Sequence, residues 1–146
     1  MPPAFEWLEQ RGGSCTGADY AYTGRDGKCK PCTPAVKVLN YESLPAYNVG
    51  AMESKLQETV LAIGVSAGNS AFQFYSRGVL DSRSCGTDLD HGVAIVGMGN
   101  DAESGKDYFL VRNSWGKSWG EGGHIRLVRG KNMCGCEMEP SYVVTN

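Results

Sequence analysis

Residues 89–116 read LDHGVAIVGMG-NDAESGK-DYFLVRNSWG, which is two apolar runs joined by a polar turn. Two such runs around a turn of Asn, Asp, Ser and Gly predict a β-hairpin. His91 begins the first predicted strand, and Asn113 comes just after the second. Because the strands of a hairpin are antiparallel, we expect these two side chains to lie side by side.

A histidine beside a side-chain amide is half of a nucleophilic catalyst. The amide oxygen accepts one ring N–H and selects one tautomer, which leaves the other ring nitrogen free to take a proton from a nucleophile. Trp115 follows closely and is placed to cover that hydrogen bond. A histidine alone on an apolar strand is more often a structural residue, so the interpretation depends on the motifs around it.

Composition describes an ordinary globular chain. Its 146 residues are enough for one domain with a core, and 41% of them are hydrophobic. A net charge of −2 gives no electrostatic case for binding nucleic acid or an anionic membrane. The longest apolar run, residues 60–65, is too short to cross a bilayer. The start, Met1-Pro2-Pro3, shows no signal-peptide pattern.

Periodicity and turn residues predict the remaining elements. Helices are expected over residues 4–11 and 48–59, the second with Asn48 as its N-cap. Residues 72–77 are expected to form a single aromatic turn in the core. Strands are expected over residues 36–41, 60–66, 124–129 and 142–145. The sum is an α+β fold: an antiparallel, partly closed β-barrel with a short N-terminal helix and one flanking helix.

Asp-His-Gly before one apolar strand and Asn-Ser-Trp-Gly after the next resemble the C-terminal lobe of papain-like cysteine peptidases of the cathepsin L type. Further segments match in order: residues 72–79, 119–126, 134–135 and 140–143. The resemblance implies that residues 1–13 end the first, helical lobe. Residues 14–146 would then form the second, β-barrel lobe.

The resemblance also implies roles for individual side chains. His91 would be general base and acid, Asn113 would orient it, and Trp115 and Trp119 would shield the pair on the leaving-group side. The family's nucleophilic cysteine lies roughly 130–150 residues upstream of its partners, which is before Met1 here. No cysteine of this chain has the family's sequence context, so the isolated chain is expected to be inactive, and no cofactor is expected.

A pocket for the substrate's second residue is implied in the same way. Leu89 and Gly64 would form its walls and Gly92 its floor, while Glu139 would close the far end. A carboxylate at the end of an apolar slot pairs with an arginine whose stem packs on the walls. The alternative is that Glu139 is a solvated residue near the chain end.

Six cysteines suggest a disulfide-permissive compartment or a metal site. The resemblance implies a Cys85–Cys134 disulfide. The other four allow three pairings, among which sequence does not choose: Cys15, Cys29, Cys32 and Cys136. In the metal alternative, the Cys-x-x-Cys of residues 29–32 and the Cys-x-Cys of residues 134–136 would hold zinc, but the second spacing is poor and no metal is expected.

Partners and location also follow from the resemblance. The partners would be a peptide or protein substrate and a separate first-lobe chain, propeptide or cystatin-type inhibitor. The location would be lysosomal, vacuolar or extracellular. Two other classes of function stay open: a non-catalytic papain-like fragment or homologue that acts by binding, and a cysteine-rich metal or structural module.

Overall fold

The structure is a computed structural model that describes residues 1–146. The chain divides into two compact units, each described by itself. The sheet unit consists of Met1 and residues 43–142, and the loop unit consists of residues 2–42 and 143–146. The helices and strands, in chain order, are α1 (Pro2–Gln10), β1 (Val38–Ser43), α2 (Val49–Leu56), β2 (Leu61–Val65), α3 (Ser70–Gln73), β3 (Val79–Leu80), β4 (His91–Asn100), β5 (Asp107–Arg112), β6 (His124–Val128) and β7 (Ser141–Thr145). Short 3-10 turns lie at Arg83–Cys85 and Met133–Gly135.

Within the sheet unit the strands lie in the order β7-β2-β4-β5-β6-β3. Neighbouring strands from β7 to β6 pair antiparallel, whereas β3 pairs parallel with β6. The α+β class is confirmed, but the sheet is open where a partly closed barrel was predicted. β3 has only two residues, and it ends the strand order beside β6, so no pairing closes the sheet.

The hairpin predicted from residues 89–116 is formed by β4 and β5. Its far end is a turn in which the Asp101 carboxylate accepts hydrogen bonds from the Ser104 N–H (2.9 Å) and hydroxyl (2.6 Å). Gly105 has φ +69°, a left-handed conformation that favours glycine. The inner face of the hairpin is fully or almost fully buried: Val93, Ile95, Phe109 and Val111.

Strand β2 shows how the sheet divides its faces. Leu61, Ile63 and Val65 are fully buried, whereas the alternate residues, Ala62 and Gly64, are half-buried on the other face. The buried face joins one hydrophobic core with α2 and α3, whose inward residues are also fully buried. The second face therefore remains accessible at the position that carries Gly64.

α1 begins two residues before the predicted start and ends one residue early, whereas α2 is shorter than predicted. α2 begins after Asn48, whose side-chain oxygen accepts from the Ala51 N–H at 3.0 Å, and it ends at Leu56, three residues before the predicted end. α3 is a single turn capped in the same way by Asn69, and its last two residues overlap the aromatic turn predicted over residues 72–77. No helix of the structure is long and apolar enough to cross a bilayer.

Four of the six cysteines form disulfides. Cys85 pairs with Cys134 in the sheet unit, and Cys15 pairs with Cys32 in the loop unit. Cys29 is an exposed free thiol, and Cys136 is a buried one. Two cysteines of the alternative zinc set, Cys32 and Cys134, are therefore engaged in disulfides and do not present thiolates.

Candidate active site

His91 and Asn113 meet at the open end of the hairpin. Nε2 of His91 lies 2.8 Å from Oδ1 of Asn113, and the same oxygen accepts the Ser114 N–H at 2.7 Å. The Asn113 side chain is buried, and its backbone N–H donates to the Gly123 carbonyl at 3.0 Å. Because an amide oxygen only accepts, Nε2 carries the proton in this contact, and Nδ1 is the nitrogen left for a proton transfer.

A register shift places the two side chains on one face of the sheet. One residue of β4, Val96, has no separate partner on β5, so Arg112 lies opposite Ala94. The next residue, Asn113, therefore comes opposite Val93, whose side chain lies on the same face as that of His91. Without this bulge Asn113 would come opposite Ala94 and point to the other face.

Aromatic rings pack against the His91 imidazole. The Trp115 ring centroid lies 5.2 Å from that of His91, and Phe72 meets His91 edge-on at 6.4 Å. Phe72 is fully buried and also contacts Trp115 at 5.5 Å and Trp119 at 5.2 Å. The indole N–H of Trp119 donates to the Gln73 carbonyl at 3.0 Å. The imidazole is thus held at its edge by an amide and at its face by aromatic rings.

The sequence predicts core packing for Phe72 and no part in the site. The structure shows that Phe72 is both a core residue and the ring that links His91 to the two tryptophans. The available signal was the aromatic segment at residues 72–75, which has no helical or strand period. The role of Phe72 at the site becomes visible only from its contacts with His91, Trp115 and Trp119 in the structure.

Asp90 is a second residue to which the sequence assigned no role. Its carboxylate accepts the N–H groups of Ala67 at 2.7 Å and Gly68 at 2.9 Å. The hydrogen bond from Ala67 is the main reason why the pKa of Asp90 is lower than usual. A Cβ atom at Gly68 would lie 2.6 Å from Oδ2 of Asp90, so a side chain there would displace the carboxylate. This contact fastens the loop after β2 to the residue that precedes His91.

The Asn69 side chain joins the same loop to the disulfide. Its oxygen accepts the Phe72 N–H at 3.0 Å, and its Nδ2 donates to the carbonyls of Ser66 (2.9 Å) and Cys85 (2.6 Å). One amide thus connects the helix that carries Phe72 to the buried end of the Cys85–Cys134 bridge.

The structure brings together three of the four predicted pocket residues. Gly64 and Gly92 are direct partners across β2 and β4, and Cδ1 of Leu89 lies 3.1 Å from the position of a Cβ on Gly64. On its other side Leu89 abuts Gly135, where a Cβ would lie 2.5 Å from Cδ2. Glu139 is exposed and forms no hydrogen bond or ion pair. Its place at the end of the pocket stays a prediction.

No cysteine thiol forms a hydrogen bond with His91. Cys85, six residues before it in sequence, is held in the disulfide with Cys134. Cys136 is fully buried, and burial raises the pKa of its thiol far above the usual value. Cys29 lies in the loop unit.

An open α+β sheet with a histidine held by an asparagine under aromatic rings is the architecture of a papain-like C-terminal lobe. The family model described as papain family cysteine protease matches residues 1–144, and the chain belongs to that family. It is 44% identical to cysteine proteinase RD21A of Arabidopsis thaliana, over 100% of this chain and 32% of that protein. It is also 44% identical to vignain of Ricinus communis, over 99% of this chain and 41% of that protein.

Solved structures agree with this assignment. The bromelain protease from Ananas comosus, in complex with the E64 inhibitor, superposes with a TM-score of 0.91 and 34% identity, over 98% of this chain and 68% of that one. The proform of the ragweed pollen allergen Amb a 11 superposes with a TM-score of 0.93 and 33% identity. The match covers 100% of this chain and 46% of that one. The chain spans less than half the length of RD21A and of vignain.

Proposed function

We propose that this chain supplies the histidine and asparagine of a cysteine endopeptidase active site. The observation that carries the proposal is the 2.8 Å contact between His91 Nε2 and Asn113 Oδ1, which makes Nδ1 the nitrogen of the neutral ring that can accept a proton. Nδ1 takes the proton of a cysteine thiol, and the resulting thiolate attacks the carbonyl carbon of the peptide. The imidazolium then gives that proton to the amine nitrogen as the C–N bond breaks, which leaves a thioester that water hydrolyses to release the acid and the thiol. Trp115 limits the access of water to the His91–Asn113 hydrogen bond.

We further propose that the nucleophile lies outside these 146 residues. The free thiol of the sheet unit, Cys136, is fully buried and remains protonated because burial raises its pKa. RD21A and vignain are more than twice as long as this chain, which leaves room for a nucleophile-bearing segment. The isolated chain is therefore expected not to hydrolyse peptides.

Two measurements test the proposal. The purified chain should not cleave a dipeptidyl fluorogenic substrate, and turnover that a thiol alkylator blocks would contradict the expected inactivity. A chimera that joins the nucleophile-bearing first lobe of vignain to this chain should cleave the substrate. His91→Ala should abolish that activity, whereas His124→Ala, the matched control, should preserve it. Full activity in the His91→Ala chimera would refute the assigned role.

The same chimera tests the proposed substrate pocket. The facing pair Gly64–Gly92 contributes no side-chain bulk of its own, and the Met1 side chain lies over it, because a Cβ at Gly92 would be 3.1 Å from Met1 Sδ. If Glu139 closes the pocket, Glu139→Ala should lower kcat/KM about tenfold for an arginine substrate and leave a phenylalanine substrate unchanged. Glu103→Ala, in the hairpin turn, removes the same charge elsewhere and is the control. An equal loss for both substrates would contradict the pocket assignment.

Partners and location are proposed from the relatives. The proform of Amb a 11 and procathepsin L2 from Tenebrio molitor larval midgut are solved precursors, so we propose a propeptide as a partner of this lobe. A cystatin-type inhibitor and a first-lobe chain would approach the same His91 edge. Two disulfides favour an oxidising route to the vacuole or the exterior.

A further inference from the structure

The turn that carries Trp119 lies between β5 and β6, and little within it fixes its shape. Four of its eight residues, 116–123, are glycine, and all four have positive φ values. Glycine gives the backbone a freedom that other residues do not have, so such a turn needs attachments to its surroundings. One attachment is the indole N–H of Trp119, which donates to the Gln73 carbonyl.

The second attachment is the carboxylate of Glu121. Its Oε2 accepts the Nε–H of Arg126 at 2.8 Å, and its Oε1 accepts an Nη2–H of Arg126 at 2.6 Å. This two-point pairing fixes the orientation of both groups. Oε1 also accepts the Gly78 N–H at 3.0 Å. The side chains of Glu121 and Arg126 are only 28% and 21% exposed, so water screens this pair less than it screens a surface ion pair.

Gly78 and Arg126 join this pair to the segment that follows α3. The Tyr75 hydroxyl donates to the Gly78 carbonyl at 2.6 Å and accepts the Arg126 backbone N–H at 3.3 Å. The Tyr75 ring also packs against Trp119, with the ring centroids 5.8 Å apart. The Glu121 carboxylate therefore fastens the turn both to β6 and to the segment after α3.

The same turn holds Asn113. The Gly123 N–H donates to the Trp119 carbonyl at 2.8 Å, and the Gly123 carbonyl accepts the Asn113 backbone N–H at 3.0 Å. The Trp119 ring lies 5.3 Å from that of Trp115, which packs against His91. A displacement of the turn would therefore reach His91 by two routes, through the Asn113 backbone and through the tryptophan rings.

We propose that Glu121, held by Arg126, is a positioning residue of the His91–Asn113 site. Neither side chain hydrogen-bonds to His91 or Asn113, so both act through the turn. The inference rests on the proposed function for the catalytic role of His91, but the geometry that it concerns is measurable without peptide cleavage. Glu121→Ala should release the turn, and Asn113 should then select the His91 tautomer less strictly.

The chain contains a matched ion pair that does not involve the turn. Nε of Arg129 lies 3.0 Å from the Glu53 carboxylate on α2, and its Nη2 lies 3.5 Å from that of Asp107 on β5. Arg126 is likewise shared by two carboxylates. Glu53→Ala therefore removes a comparable ion pair and leaves residues 113–123 attached.

The test is a long-range ¹H–¹⁵N spectrum of His91 in the full chain, at a pH where the ring is neutral. Glu121→Ala should replace the single Nε2–H form with a mixture of both tautomers. Glu121→Gln, which keeps one acceptor oxygen for Arg126, should have a smaller effect. Glu53→Ala should leave the spectrum unchanged, even where it lowers the Tm as much as Glu121→Ala does. If Glu121→Ala does not fold, Arg126→Lys takes its place, because lysine cannot form the two-point pair.

The chimera with the vignain first lobe gives a second readout. Glu121→Ala should lower its kcat about tenfold and leave KM unchanged, since the substrate-binding residues are untouched, and Glu53→Ala should change neither constant. A His91 spectrum that Glu121→Ala leaves unchanged, or that Glu53→Ala alters equally, would overturn the positioning role. A chimera that is inactive without any substitution would count against the proposed function alone, because the spectrum is read without turnover.

Discussion

The Asn113 oxygen accepts two hydrogen bonds, from the His91 ring and from the Ser114 backbone. The second fixes which end of the amide faces the imidazole, and the first then fixes the tautomer. One side chain thus decides which ring nitrogen of the neutral imidazole is free to accept a proton. The positions of both residues were predicted from the hairpin pattern, but the partner that orients the amide was not.

The tautomer is measurable in the chain alone. We expect long-range ¹H–¹⁵N spectra of neutral His91 to show the Nε2–H form, because Asn113 Oδ1 accepts that proton. Asn113→Ala should replace it with a mixture of both tautomers. His124 is the internal control, since its ring contacts the Gly122 carbonyl and not Asn113. An unchanged His91 spectrum in the variant would contradict the positioning role.

Two phenylalanines separated by one residue give a second test at this scale. Phe72 is fully buried against three rings, whereas Phe74 is 81% exposed. Phe72→Leu should lower the free energy of unfolding by about 1–3 kcal/mol, because it loses aromatic contacts and core volume. Phe74→Leu should change it by less than about 0.5 kcal/mol. Urea unfolding measures both, and equal effects would refute the packing argument.

At the scale of elements, long periodic segments were predicted well. The hairpin, α2, β2 and β6 follow from apolar spacing and from the Asn48 cap. α3 and β3 were missed as elements because four and two residues are too few to show a period. The parallel pairing of β3 with β6 leaves the sheet open, and strand patterns do not encode that pairing. The Cys15–Cys32 pairing likewise depends on loop geometry that cysteine spacing does not specify.

Asn69 and Asn48 are both N-caps, and only Asn69 also binds two other carbonyls. Asn48→Ala should cost about 1 kcal/mol of unfolding free energy. Asn69→Ala should cost about 2–4 kcal/mol, because the carbonyls of Ser66 and Cys85 also lose a donor. Urea midpoints at equal m-values measure the difference.

Asn69→Asp separates the two contributions of this side chain. The carboxylate keeps the cap on α3 but cannot donate to Ser66 or Cys85. Asn69→Asp should therefore lower the free energy of unfolding by more than Asn48→Ala does. A cost for Asn69→Ala no larger than that for Asn48→Ala would show that the two carbonyl contacts are not stabilising.

For the whole molecule, acid sensitivity should arise from carboxylates bound at the hairpin turn. Hydrogen bonds from Ser104, and then from Arg126, lower the pKa of Asp101 to about 2. The Arg126 guanidinium also lowers the pKa of Glu121. Their stabilising effect is complete above the usual carboxyl pKa values, near pH 4, because the unfolded chain has already lost these protons there. It is lost as the pH falls toward 2.

Thermal unfolding at pH 5 and at pH 2.5 tests this linkage. The Tm of the unsubstituted chain should be lower at pH 2.5 than at pH 5. Asp101→Asn should make this difference in Tm smaller, because position 101 no longer titrates. The control is Asp26→Asn in the loop unit, at an exposed position without a hydrogen-bond partner. It should leave the difference in Tm between pH 5 and pH 2.5 unchanged. An identical fall in Asp101→Asn would exclude Asp101 as a source of acid sensitivity.

The unpaired Val96 also constrains how this lobe can change in evolution. Side chains alternate between faces, so adding or deleting one residue between His91 and Ile95 would move the imidazole to the side opposite Asn113. Changes of length there should therefore occur in pairs or not at all. The turn at residues 101–106 lies at the opposite end of the hairpin, where insertions of odd or even length leave the strand parity at the catalytic end unaltered.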